Sequence, residues 1–173
     1  ATIGGITVGA DSGTQTLFVS GNTLTVDGLA LVRSNAVLQL DYGTLQGAGD
    51  VWIRGRFLWG FGTMQGTGRT AILPGGDLTL TNAVDHYQSR LIENAGLAEF
   101  SQGGRWVIGN SIFRNLASGV VQWNGLGDFA YNGNPQSFEN WGLLQKSAAT
   151  TNGISNYLDN RGTVQVQAGL LWS

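Results

Sequence analysis

The run Thr163–Ala168 alternates strictly, with Val164, Val166 and Ala168 on one parity and Thr163, Gln165 and Gln167 on the other. That period of two marks a half-buried strand, and a strand this short needs partners to cover its apolar face. Similar short runs recur along the chain as LTVDG, LALV, AVLQL, RFLW and DLTLT, each broken by Gly, Asn or Pro-Gly-Gly. The pattern predicts many short strands joined by tight turns.

The strands come in repeats. Four blocks, LIENAGLAEF, IFRNLASGVVQW, SFENWGLLQKS and YLDNRGTVQVQAG, share an apolar residue, one polar residue, an Asn, a nearby Gly and a short alternating run. Their asparagines, Asn94, Asn115, Asn140 and Asn160, are spaced 21, 25 and 20 residues apart. Upstream, GTLQGAG at Gly43 returns as GTMQGTG at Gly62, nineteen residues later. A period near twenty with several strands in each repeat predicts an all-β parallel β-helix, or β-solenoid, of about 20 residues per coil. The handedness rule for parallel crossovers predicts a right-handed coil. An antiparallel sandwich would not need its corner residues to recur at a fixed period.

This frame makes specific demands. Carried by register, Val164 and Val166 should stack on Leu144 and Lys146, Val121 and Trp123, and Ala98 and Phe100 inside the tube. Lys146 breaks that apolar column, so it either points outward through a bulge or marks a local loosening. The Asn–Gly pairs should form a corner, with Asn tolerating a left-handed backbone, Gly supplying positive φ, and successive Asn side chains bonding in a ladder. The chain reads as one domain over residues 1–173, with faint coils over 1–40, Gly-rich repeats over 43–81 and Asn/Gly corner repeats over 91–169.

The blocks GTLQGAGDVWI, GTMQGTGRTAI, FENWGLLQKS and LDNRGTVQVQAG resemble the β-solenoid repeats of large secreted bacterial surface proteins, the filamentous-haemagglutinin-like and autotransporter-like passengers. The resemblance spans roughly Leu38–Gly169. It implies roles in adhesion, surface display or extracellular assembly, and it carries over no catalytic residue.

Composition narrows the chemistry. Charged residues make up 12% of the chain and glycine 28 of 173 residues, which suits a turn-rich β protein. A net charge of −2 gives no polyelectrolyte signal for nucleic acid. No apolar run approaches a membrane span. There is no cysteine, hence no disulfide or thiolate metal site. No cofactor is expected, and the single acidic residues match no EF-hand or calcium-binding β-helix repeat; a calcium site assembled across coils is left open. The two GxGxxG-like stretches precede no helix and read as corner glycines. Regular Thr-x-Thr rows, as on an ice-binding face, are approached only by LTLT and LTV.

The lone histidine lies in NAVDHYQSR, where Asp85, His86, Tyr87 and Arg90 are expected on a solvated loop projecting between coils rather than as an acid–base group. Trp52, Phe57, Trp59 and Phe61 form an aromatic strip that either packs the tube or, if outward, stacks on sugar rings.

At the ends, Ile3, Ile6 and Val8 on one side and Leu170, Leu171 and Trp172 on the other are apolar and strand-like, with no capping helix. Ala1 follows no leader, so either a leader has been removed or the chain is a piece of a longer solenoid. The expected function is that of a structural subunit of an extracellular filament or surface assembly, partnered head-to-tail with itself. An adhesin or glycan-binding solenoid is the alternative, and a polysaccharide-degrading β-helix enzyme the weakest; no catalytic residue is assigned.

Overall fold

The computed structural model describes residues 1–132 and 136–173. Their regular elements are all strands, and the paired strands run parallel. The chain winds through about eight turns of about 21 residues, an all-β parallel β-solenoid with no helix among the described residues.

Each turn contributes three strands, one to each of three faces. Face I stacks Thr2–Ile3, Thr23–Val26, Gly43–Gln46, the first half of Gly62–Ile72, the first half of His86–Asn94, Trp106–Ile108 and Phe129–Tyr131. Face II stacks Ile6–Val8, Ala30–Val32, Val51–Ile53, the second halves of the same two long strands, Ile112–Asn115, Ser137–Asn140 and Tyr157–Asn160. Face III runs from Gln15–Ser20 through Arg56–Trp59 and Leu97–Phe100 to Thr163–Val166. The two long strands carry the ladder around the corner between faces I and II, so these form one 13-stranded sheet while face III is a separate 8-stranded one.

Alternation sends every second side chain into the tube. On face III the inward columns are Leu17–Leu38–Phe57–Leu78–Ala98–Val121–Leu144–Val164 and Val19–Leu40–Trp59–Leu80–Phe100–Trp123–Lys146–Val166. The pairs expected from the repeats, Ala98 with Val121 with Leu144 with Val164 and the partners two residues on, are the observed register. The middle of the tube is aromatic: Trp59, Phe100, Trp106, Phe113, Trp123, Phe129 and Phe138 are all fully buried. Phe100 stacks on Trp123 at 5.9 Å, and Trp106 on Phe129 at 5.3 Å. Burying one such ring stabilises by roughly 1.5–3 kcal/mol, so these coils anchor the stack.

The GTLQGAG and GTMQGTG copies stack on each other, Gly43 on Gly62, Thr44 on Thr63 and Leu45 on Met64. Their glycines stand where backbones nearly touch at the corner: a Cβ on Gly66 would lie 2.5 Å from the Gly47 carbonyl oxygen. Both Gly47 and Gly66 also hold positive φ, 115° and 100°, which only glycine adopts without strain.

Candidate functional site

The four repeat asparagines stack in register at the end of face II. Asn94 donates Nδ2 to Asn115 Oδ1 at 2.8 Å, Asn115 to Asn140 at 2.8 Å, and Asn140 to Asn160 at 2.7 Å. The second amide proton of each of the first three goes to a carbonyl across the corner: Asn94 to Val120 O, Asn115 to Leu143 O and Asn140 to Thr163 O, at 3.0–3.1 Å. The ladder closes a turn in each coil and leaves no buried amide orphaned. It is a structural device with no group free for chemistry.

The backbone reason expected for this corner is corrected. None of the four asparagines has positive φ, and neither do Gly96, Gly119, Gly142 and Gly162. The asparagines end strands in ordinary extended geometry. Glycine is required by close approach: a Cβ on Gly142 would sit 2.3 Å from Gly119 O, and one on Gly162 2.2 Å from Gly142 O. Upstream, the same column is Val8–Val32–Ile53–Ile72, so the asparagines replace an apolar column halfway along the tube.

Lys146 neither turns outward nor loosens the coil. It is fully buried in the inward column, and its three ammonium protons meet three carbonyls, those of Ala148, Thr150 (2.8 Å) and Ala168 (3.1 Å). Burial pushes its pKa below the usual lysine value. The ammonium pins the turn that follows face III in place of an apolar side chain.

The stretch around His86 is a second correction. Residues 82–84 bend, but His86–Asn94 is a strand, and His86, Gln88 and Arg90 point inward. The His86 ring lies edge-on to Trp59 at 5.2 Å, with Nε2 2.9 Å from Trp59 O. Burial pushes its pKa down, so the imidazole is neutral. Gln88 accepts from Trp106 Nε1 at 2.8 Å and donates to Ile112 O at 2.8 Å. Arg90 reaches Gly49 O at 2.9 Å, and burial lowers its pKa to about 10. Asp85 is held by Arg105 rather than hydrogen-bonded to the histidine ring. Polarity in this stretch signals interior hydrogen bonding rather than exposure, and no acid–base group is assembled.

The aromatic strip divides. Phe57 and Trp59 are fully buried in the face III columns. A corner follows Trp59 and Phe61 lies in it, off the face III strand, and Trp52 lies partly exposed on face II. As a single outward face the strip does not exist.

Outside face II runs a ladder of alternating charge that the sequence did not reveal, because its members are 19 to 25 residues apart. Arg69 bridges Asp50 and Glu93, each at 2.9 Å, and Arg114 bridges Glu93 at 2.9 Å and Glu139 at 2.6 Å. Arg114 also lies 5.0 Å from the Trp141 ring centroid. Burial alone would raise the Asp50 pKa, but the Arg69 backbone N–H and guanidinium outweigh it and hold the carboxylate below its usual range. The clamped carboxylates tie successive coils together on this face. Among the described residues no group of three or more His, Cys, Asp or Glu side chains is placed to hold a metal ion.

At the ends of the stack Ile3 and Ile6 are partly buried and Val8 buried, whereas Leu170 and Trp172 are exposed and Leu171 is intermediate. The strand Leu170–Trp172 pairs with Thr151–Gly153. Comparison with protein-family models, with curated proteins and with solved structures finds no match to this chain.

Proposed function

We propose that this chain is a structural β-solenoid of an extracellular filament or surface layer, extended by coil-on-coil stacking with further copies of itself, in the manner of the large secreted surface proteins its repeats resemble. The observation that carries this reading is the match between the two outermost coils. A second copy continuing the rise would lay Ile6–Val8 on Tyr157–Asn160 and Gln15–Ser20 on Thr163–Val166, parallel and in the existing register. Leu158 would then meet Ile6, Val164 would meet Leu17, and Val166 would meet Val19, all columns that already run through the tube. Asn160 would end the ladder against Val8, with its own amide turned back to Gly162 O at 3.4 Å.

Such a contact repeats head-to-tail without closing, which produces filaments rather than rings. Unpaired strand edges that leave Val166, Leu170 and Trp172 exposed at the end of the stack favour it, as do the low charge and the charge ladder confined to one face. Negative-stain microscopy across a dilution series tests the proposal. Filaments of uniform width that vanish in Val166→Asp are expected; single particles at every concentration would overturn it.

A further inference from the structure

We propose that the corner between faces III and I binds a short neutral oligosaccharide, in a groove framed by Tyr42, Phe61 and Tyr87 over a row of threonines. The proposal does not depend on filament formation.

The row comes from stacking. Thr23, Thr44 and Thr63 are register partners on successive coils of face I, and all three line the groove. The rungs are about 4.8 Å apart, which sets three hydroxyls at regular intervals. The next outward column, Thr25–Gln46–Gln65, is already joined side chain to side chain, at 3.1 and 2.8 Å. That bonding holds the floor flat and leaves the threonine hydroxyls to an incoming partner. Aromatic rings stand at the edges. Tyr42 and Phe61 pack at 4.9 Å between centroids, and Tyr87, the register partner of Thr63, closes one end. Tyr42 is 66% exposed and Tyr87 40%.

A second, independent observation singles out Tyr42. It is one of two non-glycine residues with positive φ among the described residues, at 55°. Gly21, its register equivalent one coil earlier, takes φ 64° without strain. A bulky residue in this region is strained, and such outliers gather at binding sites. The strain holds a phenol ring out over the groove where the fold would accept glycine.

The lining residues, which include Gly21, Asn22, Gly43 and Gly62, are all uncharged, although a ladder of charges covers face II. A groove with aromatic walls, a hydroxyl row and no charge fits the apolar ring faces and equatorial hydroxyls of a neutral sugar, and offers an acidic one nothing to pair with.

The test uses the full chain, with cellohexaose, mannohexaose and chitohexaose as probes, heparin as the acidic comparison, and isothermal titration as the readout. Tyr42→Gly is the key variant, because φ 55° suits glycine and the fold should survive, which circular dichroism checks. Tyr87→Ala supports it, and Trp52→Ala on face II is the control. At least one neutral hexasaccharide should bind, with affinity falling about tenfold in Tyr42→Gly and Tyr87→Ala and changing less than about twofold in Trp52→Ala. No binding of the three neutral probes, stronger binding of heparin, or binding unaltered by Tyr42→Gly would each overturn the proposal.

Discussion

Asn115 gives one amide proton to Asn140 Oδ1 at 2.8 Å and the other to Leu143 O at 3.1 Å, while its own Oδ1 receives Asn94. One side chain thus ties three successive coils together inside the tube. Backbone pairing alone would let adjacent coils slip along the strand direction, and a buried amide that must meet the next amide resists any slip.

Replacing Asn115 with Val, the residue the same column uses at Val8 and Val32, should therefore destabilise the fold. Both neighbouring asparagines lose a partner in a buried setting, at a cost of about 2–3 kcal/mol. Asn160→Val, at the exposed end of the ladder, should cost less than about 1 kcal/mol. Urea denaturation of the two variants checks the order, and equal losses would show that the ladder is not the source of the stability.

Close approach rather than backbone freedom requires glycine at the Asn corner. Gly142→Ala places a methyl 2.3 Å from Gly119 O and should cost about 2–3 kcal/mol. Gly4→Ala, with nothing within 4 Å and no positive φ, should change stability by less than about 0.5 kcal/mol. Thermal unfolding of both variants is the measurement.

Lys146 carries a third expectation. Lys146→Met restores an apolar column between Trp123 and Val166 but leaves the carbonyls of Ala148, Thr150 and Ala168 without their donor. A net loss of about 1–3 kcal/mol is expected, with faster amide exchange in residues 147–153 and 167–170. A variant as stable as the parent would mean that the ammonium is merely tolerated.

Acid should weaken the fold through Asp50 and Asp85. Arg105 holds the Asp85 carboxylate below its ordinary pKa chiefly by side-chain hydrogen bonding, and Arg69 does the same for Asp50 against the effect of burial. Folded pKa values below the unfolded value of about 3.9 give stability that is present above that pH and lost as pH falls through the folded values. Asp77, raised by burial, works in the opposite sense. Melting temperature should hold from pH 7 to 5 and then fall toward pH 2.5, with a smaller fall in Asp85→Asn. A flat profile would contradict the assignment.

Much of this fold is written in the spacing of residues. Four asparagines at near-constant intervals are enough to place Ala98, Val121, Leu144 and Val164 in one column. Polar residues misled in two directions. Lys146 and the alternating His86, Gln88 and Arg90 look like surface, yet each finds carbonyl or indole partners inside, at least one of them 18 or more residues away in sequence. The aromatic run Phe57–Trp59–Phe61 obeys one parity in the sequence, but the corner at Gly60 resets it. The charge ladder and the Tyr42–Phe61–Tyr87 groove were invisible for the same reason: stacking brings together residues about 20 apart, and only a register fixes which ones meet.

The most direct test of head-to-tail stacking is a cross-link across the proposed seam. The chain has no cysteine, and Phe18 and Gln165 are both exposed, on outward positions of the first and last strands of face III. In the continued register they are neighbours about 4.8 Å apart, within disulfide range. The double variant Phe18→Cys/Gln165→Cys, oxidised at filament-forming concentration, should give a ladder of multimers on non-reducing gels, and each single variant at most a dimer. A double variant that stays monomeric would contradict coil-on-coil stacking.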